Sequence, residues 1–156
     1  MIDEPLLDPL IAAATLTLAE MAQTTLEVRA VSRSRPAPTL GTIDVGVNLT
    51  SGPGGSLVLS VPEATAATLA GRVLAGVAAA PDHDLIGDCM GELVNVIAGQ
   101  VKALLAGTPY HFTFDAPRIA GADRPGDGLA ITFQSDAGAL SLQLDGPIVN
   151  EPPREA

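Results

Sequence analysis

Ile43, Val45, Val47 and Leu49 alternate with Asp44, Gly46 and Asn48, the period of a strand with one face buried. The Gly-rich run at 51–55 reads as a turn, and Leu57 to Leu59 as the return strand of a hairpin. A different period governs residues 83–106. There Ile86, Met90, Leu93, Ile97, Val101 and Leu104 recur at three- and four-residue intervals, which predicts a long helix with one buried face. Asp82 and Asp84 stand where that helix should begin, and Gly107 where it should stop.

Two shorter helices are predicted by the same reasoning. Asp8 and Pro9 supply the N-cap and first-turn signals for a helix to about residue 23, with Leu10, Ile11, Ala14, Leu18 and Met21 as its buried stripe. Pro62 and Glu63 open another, running to about residue 74. Further strands are expected at 25–32, 110–117, 128–134 and 139–145, with turns at 126–128 and 136–138. The order helix, strands, helix, helix, strands implies an α+β domain whose helices pack on a mostly antiparallel sheet. No strand–helix alternation supports a Rossmann fold. Residues 1–7 read as a loose leader, 8–146 as a single domain and 147–156 as a disordered tail.

Composition narrows the function classes. The chain has 156 residues, 47% of them hydrophobic, enough for one ordinary domain with its own core. Aromatics make up 3%, with no Trp, so no ring platform exists for stacking bases. A net charge of −10 repels nucleic acid and anionic lipid and favours basic protein surfaces as partners. The basic residues Arg29, Arg33 and Arg35 cluster in one solvated stretch. Acidic residues, not basic ones, precede the first apolar stretch, and no run is long enough to span a bilayer, so a cytoplasmic location is expected. Cys89, the only cysteine, excludes an intrachain disulfide and a multi-thiolate zinc site.

Several local patterns have plain structural readings. Asp82, His83 and Asp84 resemble metal ligands, but consecutive side chains diverge and a helix cap explains the acids. His111 has no Cys or second His near it, and the glycosylation pattern at Asn48 has no meaning without secretion. The 51–55 turn lacks the Lys and Ser/Thr of a phosphate loop.

The chemistry-bearing feature is the polar side of the long helix. At about 100° per residue, Asp88, Glu92, Asn95, Gly99 and Lys102 share one stripe opposite the apolar face. Gly91, Ala98, Gly99 and Ala103 flank it and would let another protein's backbone come close. Spacing alone also fits an ordinary solvated face. Asn95, however, is a poor mid-helix residue and calls for a reason beyond propensity.

The run Asp88-Cys89-Met90-Gly91-Glu92-Leu93-Val94-Asn95-Val96-Ile97-Ala98-Gly99 resembles the signature helix of the CheX/CheC chemotaxis phosphatases. Asp8 to Met21 is similar to that family's first helix, and Ala116 to Gly121 to its Pro- and Gly-bearing strand edge. The resemblance implies an auxiliary phosphatase that hydrolyses the aspartyl phosphate of a response-regulator receiver domain. It casts Glu92 as the anchor to a Lys of the regulator and Asn95 as the residue that orients the attacking water. Asp88, Gly91, Gly99 and Lys102 would then lie in the partner-binding surface. Mg²⁺ would belong to the partner receiver domain, this chain binding no cofactor, and a homodimer formed through sheet edges is implied as well. CheC proteins carry two copies of the signature and CheX proteins one. Here Glu20 and Gln23 have the spacing of a second copy, but their surroundings are more like the silent first helix of CheX. A non-catalytic docking or scaffold module of the same fold is the alternative.

Overall fold

The computed structural model describes residues 5–34, 41–75, 81–120 and 127–151. The elements in chain order are α1 (Leu7–Ala22), β1 (Glu27–Ser34), β2 (Thr42–Leu49), β3 (Gly55–Pro62), α2 (Glu63–Val73), α3 (His83–Leu105), β4 (Arg118–Ile119), β5 (Asp127–Ser135), β6 (Gly138–Asp145) and α4 (Pro147–Asn150). The strands form one six-stranded sheet in the order β1-β5-β6-β3-β2-β4, every neighbouring pair antiparallel. This is the α+β arrangement expected from the element order.

The sheet's period-2 pattern sorts its two faces. Val45, Val47, Leu57, Leu59, Val61, Leu129, Ile131, Phe133, Leu140, Leu142 and Leu144 join the helices in one continuous apolar core. The rows between them carry Asp44, Asn48, Ser56, Ser60, Thr132, Ser141 and Gln143. α3 packs on β2 and β3, α2 on β3, β6 and β2, and α1 rests on α2 and α3. α3 is thus held between a helix layer and the sheet, and buries Met90, Leu93, Val94, Ile97, Ala98 and Val101 there.

Some expectations are corrected. The N-cap of α1 is Leu6, which makes no side-chain cap, and Asp8 sits inside the first turn, where a carboxylate favours the positive end of the helix dipole. Leu6 is fully buried, so the leader before residue 8 already contributes to the core. In α1, Ile11 and Met21 are only half-buried, while Ala13, Thr17 and Ala22 are buried. Leu104 is 53% exposed, because the face of α3 that meets the core rotates toward Leu105 in the last turn. Ala98 is buried and does not flank an open surface. Arg33 belongs to β1, with Arg29 and Arg33 exposed; Arg35 lies outside the described residues.

Residues 110–117 do not form a regular strand. They run beside the end of β2, with a single bridge between Leu49 and Phe114. Asp115 explains the interruption, since its Oδ1 accepts from the Asn48 N–H at 2.7 Å. That side-chain bond replaces a ladder bond, and Pro117 has no N–H to offer. Regular pairing resumes only at β4, where Arg118 meets Gly46 and Ile119 meets Val45. Gly128 lies inside β5 rather than in a turn. Of the tail expected to be disordered, residues 147–151 depart from that expectation, and 152–156 lie outside the described residues. The chain turns into α4, burying Ile148 and Val149, and the Ile148 N–H donates to the Gly54 carbonyl at 3.0 Å.

Candidate functional site

The helix that bears the site is fixed at its start by its own sequence. Asp82 Oδ1 accepts from the Leu85 N–H at 2.8 Å, the N-cap bond that its position predicted. Asp82 is therefore spent on the helix, and His83 and Asp84 are exposed in the first turn. Among the described residues, no group of three His, Cys, Asp or Glu side chains is placed to hold a metal ion. Nor is any helix of the described residues long and apolar enough to cross a membrane.

Asp88 and Glu92 are exposed on α3 and Asn95 is half-buried on the same side. The three residues thus share one side of the helix, as their spacing predicts, with Asn95 less exposed than its two neighbours. Among the described residues, no hydrogen bond or ion pair engages the side chains of Asp88, Glu92 or Asn95. At about 1.5 Å rise per residue, Asn95 lies roughly 10 Å along the axis from Asp88 and about 4.5 Å from Glu92. The amide and the second carboxylate are therefore adjacent. Gly99 continues the stripe with open space where a Cβ would stand. Lys102 is exposed in the last turn, where a cation also favours the negative end of the helix dipole. Cys89 points inward, and its thiol is pushed up first by burial and then by the charge of Asp88. It is a core residue, as a small helix cysteine should be.

The structure adds a wall that the helix alone could not reveal. A groove of about 510 Å³ runs beside the N-terminal half of α3. His83, Asp84, Gly87, Asp88, Gly91 and Glu92 form its helical side, Pro117, Arg118 and Ile119 its opposite side, with Ile43 and Val45 of β2 lining it as well. It brings together three predicted residues, Asp88, Gly91 and Glu92, whereas Asn95, Gly99 and Lys102 lie farther along the helix. Gly91 is where the two walls approach, a Cβ there standing 3.6 Å from Pro117 Cβ. Arg118 is held by Asn48, donating from Nη2 to Oδ1 at 2.6 Å, and lies 3.9 Å from Asp115 Oδ2. Asp84, Arg118 and Ile119 line the groove and were not among the residues that the sequence singled out for the partner-binding surface. Asp84 could have been found, since it lies one turn before Asp88 on the same stripe; the others depend on a fold-back from β4.

On α1, Glu20 and Gln23 are both exposed, but only Glu20 lies within the helix. Gln23 is the residue at which the helix ends, with φ 47°, and the next N–H, that of Thr24, reaches back to the Leu18 carbonyl at 3.0 Å. A second amide one turn from a glutamate is not presented as it is on α3.

A family model described as chemotaxis phosphatase CheX matches residues 44–141, more than half of the chain and including all of α3. The chain belongs to the CheX family. Solved structures agree on the fold of this CheX member. The chemotaxis protein CheX of Desulfovibrio desulfuricans aligns with a TM-score of 0.75 at 20% identity, covering 90% of this chain and 99% of that one. CheX from Vibrio vulnificus aligns with a TM-score of 0.74 at 18% identity, covering 89% and 97%. The CheX chain of a CheX–CheY–BeF3–Mg complex from Borrelia burgdorferi gives 0.72 at 18%, covering 89% and 96%. No curated protein matches the chain.

Proposed function

We propose that this chain hydrolyses the aspartyl phosphate of a response-regulator receiver domain, with Asn95 orienting the attacking water and Glu92 anchoring the partner. One observation carries the reading most: an amide with no side-chain partner among the described residues stands one turn from an exposed carboxylate, in the middle of a 23-residue helix. The CheX family match and the Borrelia complex, in which a CheX is bound to CheY, support it from outside the site.

The chemistry asks little of the enzyme beyond placement. Water attacks phosphorus in line as the bond to the aspartyl oxygen breaks, releasing inorganic phosphate and the free carboxylate. Asn95 can accept a hydrogen from that water through Oδ1 and donate through Nδ2, fixing its lone pair on phosphorus without bringing a second negative charge to the phosphoryl group. Glu92 would pair with a cation of the receiver and set the register of α3. Mg²⁺ would be held by the receiver. Gly91 and Gly99 keep the helix surface low on either side, with Asp88 and Lys102 at the margins of the contact.

A homodimer formed through a sheet edge is part of the same proposal. β1 and β4 are the two edges, and β1 is the longer, with Val28 43% exposed. The deciding experiment is phosphate release from a phosphorylated receiver domain with Mg²⁺ present. Acceleration by the wild-type chain that is lost in Asn95→Ala supports catalysis at this helix. If binding occurs without acceleration, the chain is a docking module instead.

A further inference from the structure

Outside the Glu92–Asn95 pair, the feature with most unexplained chemistry is the groove itself. A phosphatase that uses only the α3 stripe has no need of it. Of its apolar lining, Val45 is buried and forms the floor, Ile43 and Pro117 are half-buried, and among the described residues none covers Ile119, which is 82% exposed at its edge. Its rim is acidic. Asp84, Asp88 and Glu92 are all exposed on one side, while the cation opposite, Arg118, already lies near Asp115. Gly87 and Gly91 keep the helical wall open, and a Cβ on Gly87 would meet nothing within 4 Å. The groove is also continuous with the stripe, since Asp88 and Glu92 belong to both.

We infer that this groove is a second, specificity-determining contact for the receiver partner, accepting an apolar side chain flanked by a Lys or Arg. This inference rests on the phosphatase reading above, because Glu92, the proposed anchor of the partner, also borders the groove. The apolar lining supplies the contact area, and the carboxylate rim selects a basic flank and repels an acidic one. The stripe would act on any phosphorylated receiver, and the groove would decide which one is held long enough.

The test measures Kd by titration against receiver domains encoded in the same genome, each held in its beryllofluoride–Mg²⁺ form. Gly87→Leu fills the groove from the helix side, and Ile119→Asp places a charge in its apolar wall. Neither replaces a buried side chain, and thermal melting checks that both variants fold; Ile119→Ser is the milder substitute. Each should raise Kd about tenfold. Asp84→Asn should slow association and flatten its dependence on salt. Asn95→Ala should leave Kd unchanged. If Gly87→Leu and Ile119→Asp bind like wild type while Asn95→Ala still abolishes phosphate release, the groove inference is overturned and the phosphatase reading stands. If wild type binds a receiver without accelerating phosphate release, the phosphatase reading falls while the groove is still judged on Kd. If wild type binds none of the receivers, both fall. Should the two groove variants instead dissociate a self-associated chain in sedimentation, with receiver binding unaltered, the groove is a contact between copies and the inference is wrong.

Discussion

Asn95 lies in the interior of a 23-residue helix, half-buried, with no side-chain hydrogen bond to another described residue. Replacing it with alanine therefore breaks no internal hydrogen bond and opens no cavity among the fully buried residues. The substitution also removes a poor helix former in favour of the best one, a gain of about 0.5 kcal/mol. For a protein of this size that corresponds to a rise of roughly 1–2 °C in melting temperature. Activity should move the other way. If the amide places the attacking water, its loss removes one preorganised contact to the reacting centre, worth on the order of 10² to 10³ in rate, or about 3–4 kcal/mol. The assay pairs thermal or urea unfolding with single-turnover dephosphorylation of a receiver domain. A variant that is slightly more stable and hundreds of times slower is the signature of a residue kept for function at a cost in stability. Destabilisation by more than about 1 kcal/mol would show that Asn95 is structural, and an unchanged rate would remove it from the mechanism.

Three predictions concern the scaffold. Ending the chain at Gly146 deletes Ile148 and Val149, which are 0% and 4% exposed, and should cost about 3 kcal/mol or more in urea unfolding; no change would mean that α4 does not seal the core. Gly138→Ala should cost about 2–4 kcal/mol, because φ is 125° there and an added Cβ would run into Thr65 Oγ1; a melting temperature equal to wild type would refute that packing. Arg72 donates to Asp136 at 2.9 and 3.2 Å and holds its carboxyl below the ordinary value of 3.8, chiefly through those hydrogen bonds. A depressed folded-state pKa stabilises above the unfolded value and is lost as pH falls through the folded one. Wild type should thus exceed Asp136→Asn in urea midpoint at pH 6 by a small, salt-sensitive margin that shrinks below about pH 4; a margin that grows on acidification would reverse the sign of the argument.

What could be read along the chain was set by local rules. The 83–106 periodicity, the Asp82 cap and the polar stripe of Asp88, Glu92 and Asn95 all follow from 3.6-residue geometry acting within one helix, so α3 and its display were legible before any contact was known. The alternation at 43–49 and the turn before residue 138 were legible for the same reason, strand period and turn chemistry being short-range. Residues 110–117 failed because strand character there depended on a distant event, the capture of the Asn48 N–H by the Asp115 side chain. Leu6, Leu104, Ile148 and Val149 were misjudged because burial at the ends of elements depends on which neighbour covers them, and hydrophobicity does not specify a neighbour. The groove is the clearest case. Asp84, Asp88 and Glu92 are adjacent by helical repeat, but their opposition to Pro117, Arg118 and Ile119 exists only because β4 pairs with Val45 and Gly46, some seventy positions earlier in the chain. Local sequence determined the helix and what it displays; the long-range pairing of β4 with β2 decided what that display faces.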